Sequence, residues 1–336
     1  MKTDHQQPHP TRTIPLGSID LEDRLFVITF APDLEALRDS LARAGMIHPP
    51  LVQEFSAEGR YRVVCGFKRI LAARELGWER LTVEAVRAGE NDLELFLRGL
   101  DDNLGTRPLN VVEKALALDR LRNRFEVPEE KILRTHLPRL GLGSDPRTLA
   151  LSLALAGLEE EILGGLAGGE LSLSAARRLT ERTPGERRAF FRLVHLLRPG
   201  KNLQREFLDL LADIGQREKV TFDAILAEEA LSSPAADDEI PAPQRLKTVR
   251  ERLLRRRYPR FSEVMDRYEK LRREFRLPPR MALSPPPFFE GRDWRLAVTF
   301  RDREELEGAR KILGDLLDHP LLERLLSFPL EKEEES

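Results

Sequence analysis

The sequence predicts three folded parts: an α+β N-terminal domain, an all-α helix-turn-helix domain and a small C-terminal α/β association module. Short apolar strands alternate with helical segments up to about residue 86. From about residue 93 to residue 231 nearly every segment has helical periodicity, and Pro and Gly separate the helices. A basic helical segment, one strand and a last amphipathic helix follow residue 243. This order favours separate mixed and helical domains in a chain of 336 residues.

Shifts in composition set the predicted boundaries of these parts. The segment SSPAADDEIPAP has the Pro, Ser and Asp content of a linker. The first residues of the chain are polar and have no periodic pattern. The predicted parts are a disordered lead at 1–12, the α+β domain at 13–105, the helical domain at 106–231, the linker at 232–243, and the basic helix with the association module at 244–330.

Composition excludes several classes of site. Cys65 is the only cysteine, so the chain can form no internal disulfide and no cysteine-rich zinc site. The six histidines are scattered and show no metal-binding spacing. No run approaches the roughly 20 apolar residues that span a bilayer, and the polar start does not resemble a secretory signal. We therefore expect a cytoplasmic protein with no membrane partner.

Charge is segregated along the chain, although the net charge is only −2. Residues 245–280 contain fourteen Lys or Arg and five Asp or Glu. Such a block is either a contact surface for a phosphate backbone or the solvated face of a helix, and composition does not distinguish the two.

The predicted elements of the α+β domain alternate between strand and helix patterns. Leu34, Leu37 and Leu41 recur at helical spacing in a segment that stops at Gly45. The predicted strands are LFVITF, PLVQEF, YRVVC and LTVEAV.

The segment VVCGFKRILAARELG contains the most informative pattern of this domain. Its apolar strand ends at Gly66, and a helix begins at once with Phe67, Lys68 and Arg69. The helix dipole already makes this end positive, so two adjacent cations lower stability unless an anion binds there. Unpaired N–H groups at a helix start form such an anion site. The alternative is that both cations are surface charges of an amphipathic helix.

The segment VPEEKILRTHLPRLGLGSDPRTLALSLALAG has the outline of a helix-turn-helix. A helix with two acids in its first turn is followed by a Gly-containing turn, and Asp145 caps a second helix that begins at Pro146. If this second helix enters a major groove, its exposed side faces base edges or phosphates. The residues predicted on that side are Arg147, Thr148 and Ser152, and those predicted on the core side are Leu149, Leu153 and Ala156.

The C-terminal part combines a short helical seam with a strand and a helix. The apolar residues of the seam step by three and four from Phe261 to Phe275, as in a two-stranded coiled coil. The strand WRLAVTF and the helix DREELEGARKILGDLL follow. We expect these elements to form a homodimer, with a plain packing helix as the alternative.

The order of these parts resembles the ParB/RepB family of partition proteins. The similarity lies in four stretches and covers roughly residues 14–180. The stretches are FAPDLEALRDSLARAGMIHPPLVQE, CGFKRILAARELG, DNLGTRPLNVVEKALAL and LAGLEEEILGGLAGGELSLSAARRL.

The resemblance implies a nucleotide site in the α+β domain. In the family, the glycine-led helix start holds the triphosphate of CTP, and the nucleotide with Mg²⁺ closes two subunits into a clamp on DNA. By this likeness Gly66, Lys68, Arg69 and Asn103 would bind CTP, and Asp102 with Asn103 would hold Mg²⁺.

The resemblance also implies partners and a place of action. Double-stranded DNA would be bound by the helix-turn-helix, and Arg177 would be a further phosphate contact. A ParA-type ATPase would be a partner in chromosome or plasmid partition, and the protein would be associated with the nucleoid.

Departures from the family pattern bear on enzymatic activity. Phe67 stands where the family has Glu, and Lys68 where it has Arg, which gives a point charge in place of a bidentate fork. Thr106 stands where the second motif has Arg, although Arg107 follows directly. We therefore expect a weak CTP hydrolase at most.

Two other functions fit parts of the sequence. A ParB-like transcriptional regulator or nucleoid-associated factor without nucleotide switching would have the same domains. A sulfiredoxin-like redox enzyme would share the α+β core and would use Cys65. Because Cys65 precedes Gly66 and ends an apolar strand, whereas the sulfiredoxin cysteine follows the glycine, we expect a buried, inert thiol.

Overall fold

The structure is a computed structural model, and it describes eight stretches of the 336 residues. These are 9–56, 59–237, 239–275, 277–278, 280–286, 289, 293–318 and 320–326. Most of the predicted lead and the acidic end of the chain lie outside the described residues.

A five-stranded mixed sheet forms the N-terminal part. Its strands lie in the order β1-β5-β3-β4-β2, with β1/β5 and β3/β4 antiparallel and β5/β3 and β4/β2 parallel. Thr11 and Arg12, assigned to the lead by the sequence, belong to β1 and pair with β5. The strands are β1 Thr11–Pro15, β2 Ile19–Asp20, β3 Leu51–Glu54, β4 Tyr61–Cys65 and β5 Arg80–Val86.

The strand predicted at LFVITF is wrong, although its residues are buried. Phe26, Val27 and Ile28 are at most 5% exposed, but their backbone joins no sheet. Instead of a neighbouring strand, two side chains from a helix far along the chain form hydrogen bonds with the backbone of this segment. The Arg120 guanidinium donates to the carbonyl of Val27, and the N–H of Phe30 donates to Glu113 Oε1 at 3.3 Å.

Helices cover both faces of this sheet. The helices of this part are α1 Glu35–Ala44, α2 Phe67–Glu75, α3 Asp92–Thr106 and α4 Val111–Asp119. Helix α2 packs Phe67, Ile70 and Ala73 into one core cluster with the strands. Helix α3 contributes Leu95 and Phe96 to a second cluster, which continues into α4 and the helix-turn-helix. The predicted boundary at residue 105 therefore crosses a shared core.

The helix-turn-helix has the predicted outline. Its first helix consists of α5 Glu129–Lys131, a π-type turn and α6 Leu137–Arg139, and its second is α7 Pro146–Ala156. Gly141 ends the first helix with a φ of 67°, and the N–H of Leu142 returns to the carbonyl of Leu137 at 2.9 Å. This Schellman-type ending requires a positive φ, which glycine adopts without strain.

The helical core extends past the predicted linker. Helix α13, Glu229–Ala236, covers residues 232–236 of that segment, and its Leu231 and Ala235 share a cluster with Val249 and Leu253 of α14, Ala242–Arg257. The composition of residues 232–243 predicted a linker, but small apolar residues of this segment, such as Ala235, pack against α14. The helices of this part are α8 Glu160–Ala167, α9 Leu173–Leu179, α10 Pro184–Leu197, α11 Lys201–Glu218, α12 Phe222–Ala227, α13 Glu229–Ala236 and α14 Ala242–Arg257.

The C-terminal part is a small separate cluster. Tyr268 is 3% exposed, packs against Phe289 and Trp294, and donates to the carbonyl of Leu283 at 2.6 Å. The predicted seam is thus partly covered from within the chain. Phe275's side chain lies outside the described residues. The elements are α15 Pro259–Phe275, β6 Met281–Ser284, β7 Arg295–Val298, α16 Arg303–Leu317 and α17 Pro320–Leu326.

Candidate functional site

A cleft of about 750 Å³ opens where β4 meets α2. Its other walls are α3, the extended segment at 26–29 and the turn at 48–51. All the residues predicted to bind nucleotide or metal line this one cleft. These are Gly66, Lys68, Arg69, Asp102 and Asn103.

Gly66 shapes the entry to α2. Its φ is 84°, and a Cβ there would lie 2.9 Å from both Pro50 Cβ and Arg69 Nη2. Its carbonyl accepts from the N–H groups of Arg69 and Ile70 at 2.9 and 3.2 Å. The preceding N–H groups, those of Phe67 and Lys68, have no intrahelical acceptor because they belong to the first turn. This helix start can therefore hold an anion in the cleft.

The two cations of the helix start have different surroundings. Arg69 donates to the carbonyl of His48 and, at 3.3 Å, to that of Pro49, and its Nη2 lies 3.9 Å from Asp102 Oδ2. Arg69 thus holds the turn at 48–49 in place, and the carboxylate of Asp102 is its counter-charge. Lys68 forms no hydrogen bond or ion pair with any residue that the structure describes. Lys68 is the cation available to an added anion.

Arg107 is a residue of the cleft that sequence reasoning did not assign. It donates to both carboxylate oxygens of Glu113 at 2.6 and 2.7 Å. Glu113 is only 2% exposed and also accepts from the N–H groups of Asn110 at 3.0 Å and Phe30 at 3.3 Å. In the sequence, Arg107 could have been recognised by its position, one residue after the place where the family motif has arginine.

Arg98 is a second cleft cation that was missed. It lines the same wall as Asp102, and its guanidinium contacts the His9 ring. Residues 98 and 102 are four apart on α3 and therefore share one face, which is the signal the sequence offered. Four basic side chains, Lys68, Arg69, Arg98 and Arg107, and two acidic ones, Glu84 and Asp102, line the cleft.

The residues predicted to hold Mg²⁺ do not fit that ion. Asn103 Oδ1 accepts from Arg107 at 3.3 Å, and Asn103 Nδ2 donates to the carbonyl of Gly99 at 2.7 Å. Asp102 faces Arg69. Each predicted ligand therefore already faces a guanidinium, which would repel a divalent cation. Among the described residues no group of three or more His, Cys, Asp or Glu could hold a metal.

Cys65 lies at the back of the cleft as a buried free thiol, as predicted. Burial, with a smaller contribution from the carboxylate of Asp102, raises its pKa to about 12. A thiol with this pKa is almost entirely protonated near neutral pH and is a poor nucleophile. This environment does not suit sulfiredoxin-like redox chemistry.

The second helix of the helix-turn-helix presents the predicted side in its first turn, at Arg147 and Thr148, but not one turn later, at Ser152. Arg147 is exposed and Thr148 is half-buried, as expected of DNA-facing residues. Ser152 is a correction: it is 9% exposed, and its hydroxyl donates to the carbonyl of Thr148 at 2.8 Å. The exposed side runs through Ala150 and Ala154 instead. Small apolar side chains there could contact thymine methyl groups.

Arg177 lies on α9, which packs against α7. Its neighbour Arg178 is paired with Asp209 at 2.6 Å. The exposed Arg177 side chain has no hydrogen bond or ion pair to the part of the chain that the structure describes. Arg177 is therefore available to contact a phosphate group beside α7.

The basic segment at 245–280 is largely neutralised within α14. Arg256 contacts Glu218 and Glu228, each at 2.7 Å, and Arg257 contacts Asp213 at 2.7 Å. The side chain of Arg217 in turn donates to the carbonyl of Arg257 at 2.7 Å. These contacts fasten α14 to α11, so this half of the block is a packing surface of the protein.

Comparison with known proteins agrees with this architecture. Residues 5–98 match the ParB N-terminal domain family. This part of the chain is therefore similar to the N-terminal domain of ParB proteins. The chromosome-partitioning protein ParB of Caulobacter vibrioides (strain NA1000 / CB15N) is 32% identical over 146 residues, which are 43% of this chain and 45% of that protein.

A second similar protein has a different name. The nucleoid occlusion protein of Bacillus cereus (strain AH187) is 32% identical over 146 residues, 44% of this chain and 47% of that protein. The match thus spans less than half the length of these relatives. Among solved structures, the chain is similar to the C-terminally truncated ParB of Caulobacter crescentus complexed with CTP-gamma-S, with 28% identity. That match covers 52% of this chain and 94% of the other, with a TM-score of 0.25.

The helices of the described residues differ from membrane-spanning helices. None of these helices combines the length and apolar character needed to cross a bilayer.

Proposed function

We propose that this protein is a DNA-binding protein of the ParB type that acts in chromosome or plasmid partition and binds CTP. The observation that carries the proposal is the cleft at the start of α2, which collects four basic side chains beside free helix N–H groups. The domain that contains this cleft shares its core with the helix-turn-helix. A ligand in the cleft and DNA on α7 would therefore act on one packed unit.

The residues of the cleft divide the work of holding a triphosphate. The N–H groups of Phe67 and Lys68 and the Lys68 ammonium would bind phosphate oxygens. Arg69 would hold the turn at 48–49 in place and add positive charge. Gly66 leaves room for close approach of the ligand to the backbone. The basic side chains of this wall would neutralise the concentrated negative charge of bound CTP.

Hydrolysis of CTP would be slow or absent. The family's Glu is replaced by Phe67, which is 5% exposed and packs under the guanidinium of Arg24 at 4.3 Å. An aromatic ring cannot orient a water molecule as a carboxylate does. The nucleotide would therefore act as a bound effector.

DNA recognition would use α7 with Arg147 and Thr148, and Arg177 would contact the backbone. Selection of bound sequences from a pool of random duplexes by the full-length protein tests this function. We expect a single enriched site in which two half-sites are related by a two-fold axis, because dimeric helix-turn-helix proteins bind palindromes. No enriched sequence would contradict the proposal.

The homodimer would form through the C-terminal part. Helix α16 has no buried residue, and Leu306, Leu313 and Leu317 are 43%, 38% and 68% exposed. Leu296 of β7 is also exposed, at 37%. Exposed apolar positions on neighbouring elements are typical of a surface that a partner covers, and a second copy would supply matching side chains.

The place of action and further partners follow from the same proposal. The protein would act on the nucleoid in the cytoplasm, and a ParA-type ATPase would be its partner in partition. The name of the Bacillus cereus relative supports a second candidate, a nucleoid-associated factor. Loss of plasmids or chromosomes after gene deletion would favour partition, whereas division across unsegregated nucleoids would favour nucleoid occlusion.

A further inference from the structure

We infer that the cleft binds the triphosphate without a divalent metal ion and that Arg107 supplies positive charge where a metal would lie beside Asn103. This inference rests on the proposed binding of CTP in the cleft. It concerns how the phosphate charge is neutralised, and it replaces the Mg²⁺ site expected from the sequence.

The expected metal ligands already have partners within the protein. The side-chain oxygen of Asn103 already accepts from Arg107, and its amide donates to the carbonyl of Gly99. Asp102 has Arg69 3.9 Å away. Mg²⁺ needs oxygen ligands in near-octahedral geometry, usually carboxylates, phosphates and waters. Here the protein oxygens face two guanidinium groups instead.

Arg107 is held too firmly to move aside for a metal ion. Its guanidinium is held in bidentate fashion by Glu113, a carboxylate that is 2% exposed. Removal of Arg107 from this position would leave a buried negative charge without its partner. The positive charge is therefore a fixed part of the cleft wall.

Basic side chains outnumber acidic ones around the cleft. Four basic and two acidic side chains line it, and Glu113 behind Arg107 is a third acidic group, which leaves an excess of one positive charge before any ligand binds. Guanidinium and ammonium groups at this density can neutralise phosphate oxygens directly. Metal in solution would then compete with the protein for the same oxygens.

Calorimetric titration of the full-length protein with CTP in Mg²⁺ and in EDTA tests the inference. We expect CTP affinity in EDTA to be equal to that in Mg²⁺ or up to about tenfold tighter, a difference of about 1.4 kcal/mol. A CTP affinity that falls by more than about tenfold in EDTA would overturn the inference and leave the proposed function intact. No binding in either condition would overturn both.

The variant Asp102→Asn distinguishes neutralisation of the phosphates by a metal ion from neutralisation by basic side chains. The two cases change CTP affinity in opposite directions. If Asp102 held a metal, the variant would weaken CTP binding in Mg²⁺. Without a metal, loss of a negative charge from the cleft should leave CTP binding unchanged or strengthen it a few-fold. Glu75→Gln is the matched control, because Glu75 is on α2 but does not line the cleft. A loss of affinity in Asp102→Asn alone, seen only with Mg²⁺, would overturn the inference.

Discussion

At the scale of single residues, Arg107 joins the cleft to the helix that supports the helix-turn-helix. Glu113 belongs to the capping box of α4, and α4 packs against α7. We expect Arg107→Ala to lower the free energy of unfolding by about 3–5 kcal/mol, because it leaves Glu113 buried and unpaired. Urea denaturation measures this change.

Arg134→Ala is the control for the Arg107 variant. Arg134 pairs with Glu130 at 3.1 Å, but their side chains are 79% and 73% exposed. Such a surface pair contributes about 0–1 kcal/mol. Equal destabilisation by the two variants would show that Glu113 is not dependent on Arg107.

Cys65 offers a direct measure of the burial behind the cleft. Its raised pKa of about 12 means that the thiolate is scarce at pH 8. We expect a thiol reagent to modify the native protein very slowly at pH 8 and the urea-unfolded protein rapidly. Because Cys65 is the only cysteine, the signal comes from this thiol alone. Rapid modification of the native protein would revive a reactive role for Cys65.

At the scale of elements, α3 depends on a close approach to β4. A Cβ on Gly99 would lie 2.6 Å from the carbonyl oxygen of Val64, whereas one on Gly105 of the same helix would meet nothing within 4 Å. We expect Gly99→Ala to destabilise the protein and Gly105→Ala to stabilise it by up to about 1 kcal/mol, the difference in helix propensity. Thermal or urea unfolding measures both. If the two variants behave alike, α3 is not seated on β4 as described.

Substitution of two residues of α7, one exposed and one buried, tests which side of this helix contacts DNA. Arg147→Ala should cost about 1–3 kcal/mol of DNA binding and relax the sequence preference. Ser152→Ala should leave DNA affinity nearly unchanged, because Ser152 is buried and bonded within its own helix. Fluorescence anisotropy with the selected duplex measures both. A strong loss of DNA affinity in Ser152→Ala with none in Arg147→Ala would contradict this orientation of α7.

At the scale of the whole molecule, two neighbouring parts share one core. Leu95 and Phe96 of α3 belong to the same cluster as Leu118 of α4 and Leu149 of α7. Glu113 and Arg120 of the helical part also satisfy backbone groups of the segment at 26–30. The cleft and the helix-turn-helix are therefore coupled by packing and hydrogen bonds, with no linker between them.

Local signals in the sequence predicted the elements that depend on local chemistry. Gly66 followed by two cations marked the start of α2, and Asp145 before Pro146 marked the start of α7. Contacts between distant residues were not predictable in this way. The segment at 25–30 reads as a strand, but side chains about 80 to 90 positions later satisfy its backbone. Arg107 likewise gained its role from Glu113, which the motif does not include.

Binding of CTP by the cleft is tested most directly by calorimetry of the full-length protein with each of the four ribonucleoside triphosphates. We expect CTP to bind at one site per chain. Lys68→Ala should weaken that binding by about 1.5–3 kcal/mol, because a charge-assisted contact to phosphate is lost. Lys247→Ala, at an exposed position of α14, is the control and should bind CTP normally. No heat with any nucleotide at millimolar concentration, or equal binding by the Lys68 and Lys247 variants, would contradict a nucleotide site at the start of α2.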